Sequence, residues 1–444
     1  MAGMGNFVPS SMDYSARVLD GVSTNTFRLL PNSSTTVAPS GQVSVAIPDG
    51  ALVGMNTLRM YAKVTGIGAG TSPDVVHARL PQVTDMIQRA TVSCNGVQIN
   101  GANGNYGDSM SMSKICKQDY SRSQSVDATL SNGNISSALQ NQGGTFCWHD
   151  WENIFGQSSA PVLSTGMAGS IVLNIQFQDN SCLVPTGAAG VGGVLTAGEL
   201  VNAPNIRYTL EDIVFTIDCY SIAGGFYEAL LQGRLEQEDI RINYLETYYF
   251  GTDNIAGNSS NARFALATRC LDRVFAGSRN GDYADVGKIA TVLQAGIGNA
   301  FRPNRTAWQC FDAAENASYQ WQVNKANSPA FRAPLVLHGA NSTWSQTDEG
   351  FNNGMLGHGN SIYGLGDYKQ GLGVVVQSYK MPTGLQNPMQ VTCGLNTAGV
   401  NSSGLYSVAG QQGITSSDQA AIAVVAHTQA QLICSLGRGV SASF

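Results

Sequence analysis

Cys147, His149, Asp150 and Glu152 fall within six residues in the stretch CWHDWEN. Thiol, imidazole and carboxylate are the usual ligands of transition metals, so their density alone raises a metal site for consideration. The spacing fits neither a zinc-finger pattern nor two histidines on one helical face. Trp148 and Trp151 flank the same residues and point to a packed loop instead. His338 in LHGANS and His358 in LGHGNS resemble fragments of hydrolase or cupin motifs, yet each lacks the neighbouring histidine that cupin metal chemistry needs. Only five histidines occur in the chain, which leaves general-base chemistry thinly supplied. GVGGVL at Gly190 has neither the strand–loop–helix context nor the lysine of a phosphate-binding loop. Tyr248, Tyr249 and Phe250 offer faces on which bases stack, but no basic residue interleaves with them, so they read as core or interface aromatics. The expectation is no catalytic residue, no cofactor, no metal and no enzymatic activity.

The bulk composition agrees. A chain of 444 residues exceeds one ordinary core, and two domains of roughly 200 residues are the economical division. Charged residues make up 12% of the chain, against about 25% in typical globular proteins. With 51 glycines and abundant Asn, Ser and Thr, the chain reads as strands joined by long neutral loops. So sparse a charge protects poorly against association and suits life inside an assembly. The net charge of −6 and the scattered Lys and Arg argue against direct, sequence-specific nucleic-acid binding. Nine cysteines, none closer than 22 residues to the next, exclude CxxC motifs and fit buried reduced thiols. The first residues have no basic and apolar leader pattern, so folding in the cytoplasm or nucleus is expected.

What must position these residues is a set of strands. Val43, Val45 and Ile47 share one face; Leu58, Met60, Ala62 and Val64 alternate with Arg59, Tyr61 and Lys63. Ile171, Leu173, Ile175 and Phe177 form a third such row, and Ile213, Phe215, Ile217 and Cys219 a fourth. Strict period-two alternation marks half-buried antiparallel strands. Asn95-Gly96 is a strong hairpin signal. Residues 1–40, interrupted by Pro9, Pro31 and Pro39, read as an arm. Gly101–Gly156 reads as loop, with a short helix near Ser109–Lys117, and Gly277–Gly373 as a second loop-rich region with scattered strand signals such as SYQWQV. Between the halves, FYEALLQGRLEQ switches to helical spacing: Phe226 with Leu230, and Tyr227 with Leu231 and Leu235. So short a helix needs its apolar stripe packed on a sandwich. The organisation read from the residues is an arm at 1–40, a first β domain at 41–222, a linker helix at 223–237 and a second β domain at 238–444.

The stretches GQVSVAIPDGALVGMNTLRMYAKVTG, LPQVTDMIQRATVSCNGVQINGANGNYGD and YTLEDIVFTIDCYSIAGGFYEALLQGRLEQEDIRINYLETYYF carry a resemblance to the double jelly-roll major capsid proteins of icosahedral DNA viruses. The first is similar to that family's opening strands. The last looks like the closing strand of one roll, the linker helix and the first strand of the next. The resemblance implies an all-β fold of two consecutive jelly-roll sandwiches joined by a short helix, with long surface loops. It further implies a homotrimer with a pseudo-hexagonal outline, neighbouring capsomers, penton and minor capsid proteins, and an internal membrane near the N-terminal arm. Gly101–Gly156, Gln178–Asn205 and Gly277–Gly373 would be tower or rim loops. Two other readings compete: a secreted or surface β-sandwich that binds carbohydrate or mediates adhesion, and a capsid protein built from one jelly roll plus a projection.

Overall fold

The computed structural model describes residues 22–79, 86–100, 105–110, 143–187, 196–222, 225–255, 259–268, 270–280, 313–323, 326–334, 375–382, 389–400 and 420–443. The rows of alternating residues become the core strands of a first roll. These are β1 (Val22–Leu29), β2 (Gln42–Ala46), β3 (Leu52–Gly54), β4 (Arg59–Ile67), β5 (His77–Arg79), β6 (Ile87–Cys94), β7 (Val97–Asn100), β8 (Gly143–Trp148), β9 (Val162–Ser164), β10 (Ile171–Phe177), β11 (Val184–Thr186) and β12 (Arg207–Ile222). Val43, Val45, Met60, Ala62, Val64, Leu173, Ile175, Phe215 and Ile217 are all buried in one apolar cluster. Register explains why they meet. Leu173 lies between Val45 and Val92, and Phe215 between Met60 and Leu29, so each apolar residue faces another across the ladder. Each fully buried Val, Leu, Ile or Phe contributes about 1.5–3 kcal/mol.

The second roll comprises β13 (Ile240–Ile255), β14 (Ser259–Thr268), β15 (Cys270–Asn280), β16 (Ala313–Val323), β17 (Ala326–Pro334), β18 (Val375–Pro382), β19 (Met389–Val400) and β20 (Ala420–Ser435), with β21 (Gly439–Ser443) returning beside β20. Setting aside the short strands β3, β5, β9 and β11, both rolls follow one plan. In each, the first and third strands flank the eighth, and the sixth lies outside the third. In the facing sheet the seventh lies between the second and the fourth, with the fifth beyond the fourth. All these pairings are antiparallel. This is the jelly-roll order, which folds two sheets on each other and leaves few free edges.

Three expectations are corrected. Residues 22–40 are not an arm: β1 pairs with β12 from Val22↔Ile222 to Leu29↔Phe215, and Val37 bridges Leu210. β1 is therefore the first strand of the first roll, and the Val43 row belongs to the second. Its sequence, VSTNTFRL, has no apolar alternation because it is held by backbone pairing and not by burial. Secondly, the stretch read as loop from Gly101 contains β8, which pairs with β4 and buries Phe146 and Trp148. Residues 106–110 of that stretch are helical, and the rest of the helix expected there lies outside the described residues. Thirdly, the segment after Gln178 contains a helix, Ala197–Asn202. It opens on a capping box in which Thr196 and Glu199 satisfy each other's backbone N–H groups. The Asn95-Gly96 hairpin forms as expected: Cys94 pairs with Val97, and both turn residues take positive φ, 48° and 83°. This is the backbone that a two-residue turn of the primed type demands.

Candidate functional site

The junction between the rolls is where the sequence places its candidate residues. The linker helix, α1, spans Phe226–Leu235. Gly225 caps it with φ of 64°, a left-handed backbone that releases β12 into the helix. Glu228 in the first turn and Arg234 in the last complement the helix dipole. Arg234 also pairs with Glu238, but both groups are exposed and the pair contributes little. The apolar stripe is only partly used. Tyr227 and Leu231 are half-buried, and Leu235 packs against the core beside Ile240. Leu230 does not pack; it is 53% exposed. The side chain of Phe226 lies outside the described residues. The helix is thus fastened at its C-terminal end. Leu235→Asp is expected to lower stability by about 2 kcal/mol through burial of a charge, whereas Leu230→Asp changes it by less than about 0.5 kcal/mol. Thermal melts of the two single variants check this ordering.

Below the helix the rolls meet directly. Tyr244 of β13 donates its phenol hydrogen to the carbonyl of Ile99 in β7 at 2.6 Å. Next to it, the Asn100 side-chain amide donates to the Glu246 carboxylate, which is only 2% exposed. The Asn100 carbonyl oxygen accepts from the backbone N–H of Ile154 at 2.9 Å, so one side chain ties β7, β13 and the helical turn Ile154–Gln157 together. Ser159 N–H donates to the Asn243 carbonyl at 2.8 Å, and Ser158 bridges Tyr244. At the hairpin tips, Asn95 donates to the Arg438 carbonyl at 2.9 Å, and Arg438 pairs with Asp49 at 3.3 Å. Between these bonds one apolar cluster runs unbroken from the first roll into Ile242, Tyr244, Ala430, Leu432 and Cys434 of the second.

The CWHDWEN stretch supports this face. Trp148 and Trp151 are fully buried edge to face, with centroids 6.3 Å apart. Trp151 donates its indole N–H to the Leu58 carbonyl at 2.9 Å, and Glu152 donates its backbone N–H to the Tyr106 hydroxyl at 2.9 Å. The stretch is a packed wall that holds Ile154 against Asn100. Among the described residues no group of three His, Cys, Asp or Glu is arranged to hold a metal. His338, His358 and the glycine-rich loop from Gly190 lie outside the described residues.

Titratable groups at the junction are shifted by burial. Burial, then the Glu246 charge, pushes the Tyr244 and Tyr248 phenols well above their ordinary range. Burial raises the Cys94 thiol to about 11, and burial followed by the facing Cys94 raises Cys434 to about 12. Both folded values lie above those of an unfolded cysteine. The stability these thiols supply is therefore complete below about pH 8.5 and lost as pH rises through 11 to 12. A stability profile across that alkaline range should flatten in the double variant Cys94→Ala, Cys434→Ala relative to the parent.

Sequence reading missed Asn100, Glu246 and Arg438, and the bond that Asn95 makes beyond its own turn. Polar residues in alternating strands read as outward, and Glu246 is buried because the first roll covers its strand. The sole available signal was its company: Glu246 is set among Leu245, Tyr248 and Tyr249, an apolar density unusual for a solvent face.

No protein-family model matches the chain, and no curated protein matches it. Solved structures do. VP54 of PBCV-1, in a crystal structure fitted into a reconstruction of the virophage Sputnik, is 12% identical with a TM-score of 0.60, covering 95% of this chain and 97% of that one. A chain of the PBCV-1 virus capsid is 13% identical with a TM-score of 0.55, covering 95% and 96%. The Faustovirus major capsid protein is 8% identical with a TM-score of 0.50, covering 93% and 91%. At these identities the likeness is one of fold, and it extends over nearly the whole of both chains. The chain has the double jelly-roll fold of viral major capsid proteins.

Proposed function

We propose that this chain is a major capsid protein, three copies of which form a pseudo-hexagonal capsomer of an icosahedral virion shell. The observation that carries the reading is the repetition of one eight-strand order in two rolls fastened side by side through an extensive face. A subunit with two equivalent rolls supplies six from three chains, which is what a hexagonal lattice needs. Within this reading the first roll runs from 22 to 222, the linker from 223 to 237 and the second roll from 238 to 444. Neighbouring capsomers, penton and minor capsid proteins are its partners, and an internal membrane lies near the N-terminal residues. The chain folds in the host cell and acts by assembly, without enzymatic chemistry. Negative-stain images of the purified protein test this: particles with six-lobed outlines or hexagonal arrays are expected, and isolated two-lobed particles at high concentration would overturn it.

A further inference from the structure

Among the described residues β1 is paired on one side only, with β12. Every residue from Val22 to Arg28 is exposed, and Phe27 is 45% exposed. The ladder shows which main-chain groups of β1 are already used. Asp218 of β12 turns its backbone N–H away from β1 and donates it to the Thr57 hydroxyl at 3.0 Å. Ile217 and Cys219 therefore turn theirs toward β1 and form the bonded pairs with Phe27 and Asn25. Val22, Thr24, Thr26 and Arg28 alternate with these, so their N–H and C=O groups face the open edge. Phe27 and Leu29 share a face with the buried Ile217 and Phe215. Asn25, Phe27 and Cys219 border a groove of about 340 Å³ with Leu52 and Tyr227.

An edge with one charge, Arg28, and neither proline nor bulge is a template for another strand. The chain carries a matching one. Immediately before β1 the sequence reads MDYSARVLDG, residues 12–21. Met12, Tyr14, Ala16 and Val18 alternate with Asp13, Ser15 and Arg17, the period of a half-buried strand. Asp20-Gly21 follows, a dipeptide favoured in two-residue hairpins because both central residues need positive φ.

We propose that the open edge of β1 and the groove beside it are the docking surface for residues 12–19 of the same chain, returning antiparallel through a turn at Asp20-Gly21. A two-residue turn fixes the register, with Leu19 and Val22 as its first bonded pair. Arg17, Ser15 and Asp13 then bond to Thr24, Thr26 and Arg28, the residues whose main chain faces the open edge. In the same register Met12 and Tyr14 oppose Leu29 and Phe27 on the face of the buried row, and Asp13 meets Arg28 as an opposite charge. A slip of one residue would turn the apolar row to the other face. So short a turn has no slack to reach another copy, which commits the occupant to the chain's own segment. The roll's edge then carries Asp13 and Arg17, with Pro9 beyond them, and such residues discourage further strand addition. The contact lies within one chain and does not depend on the capsomer reading.

The test places the photoreactive residue benzoylphenylalanine at position 27 in the full chain. Isotopically light and heavy protein are mixed and irradiated, and the cross-linked peptides are identified by mass spectrometry. Cross-links from position 27 to residues 12–16 are expected, light to light and heavy to heavy. Separately, Gly21→Val puts a β-branched residue where the turn needs positive φ. It should accelerate amide exchange in residues 22–29 on the order of tenfold, with exchange in β2 and β10 unchanged. Mixed light–heavy cross-links to residues 12–16 would overturn the same-chain assignment, because a second copy would then supply the segment. Cross-links that reach only β12 or residues 50–52 would overturn the docking itself. So would unaltered exchange of β1 in Gly21→Val.

Discussion

Asn100→Ala is expected to loosen the two rolls from one another at a cost of about 3 kcal/mol. The Asn100 amide donates to a carboxylate almost sealed from water, and a hydrogen bond to a charged group contributes about 1.5–3 kcal/mol. The same substitution strands the buried N–H of Ile154, which adds a desolvation cost of about 1–3 kcal/mol. Glu246 keeps a further contact, which holds the total near the lower end of the two costs combined. The effect should be local. Amide hydrogen exchange should accelerate in β7 and in the first half of β13, while β2 and β10 on the far side of the first roll keep their protection. Uniform protection in the variant would mean that the apolar cluster alone holds the rolls together.

Phe215→Ala acts on the first roll itself and should cost about 4 kcal/mol. Phe215 is fully buried at the centre of the longest strand in its sheet, with Met60 on one side and Leu29 on the other. Removing the ring forfeits its transfer free energy and leaves a cavity between two sheets that cannot close on it, since each is pinned by its own ladder. Urea titration followed by fluorescence of Trp148 and Trp151, both in this roll, should report the midpoint shift. A change below about 1 kcal/mol would show that the sheets relax around the gap.

Which parts of this architecture were legible in the sequence follows from what holds each part. Strands held by one buried face announce themselves through alternation, and the Met60, Leu173 and Phe215 rows are placed correctly by that pattern alone. β1 is held by main-chain bonds to β12, so VSTNTFRL carries no pattern and reads as arm. β8 opens on two glycines, and its short run FCW is too brief to show a period. The linker helix is marked by its spacing and by Gly225, but spacing cannot say which leucine meets the core; Leu235 does and Leu230 does not. The polar fastenings at the junction, Asn100 with Glu246 and Asn95 with Arg438, join residues 146 and 343 positions apart, and no local signal foretells such pairs. The Thr196–Glu199 capping box was readable from its spacing and was obscured by the glycines before it.

On the proposed reading, three copies of this chain associate as a stable unit. Charge is too sparse for ion pairs to dominate the contacts, so association should rest on apolar and neutral hydrogen-bonding surface, burying roughly 2,000 Å² or more in total. Such contacts survive salt, because screening weakens exposed charge pairs and not apolar burial. The direct measurement is light scattering on protein purified away from any particle, at low and at high ionic strength. Three chains of 46.7 kDa give 3 × 46.7, about 140 kDa, and that mass is expected under both conditions. A monodisperse species of 46.7 kDa under both conditions would contradict the account and favour a secreted or surface sandwich that works alone.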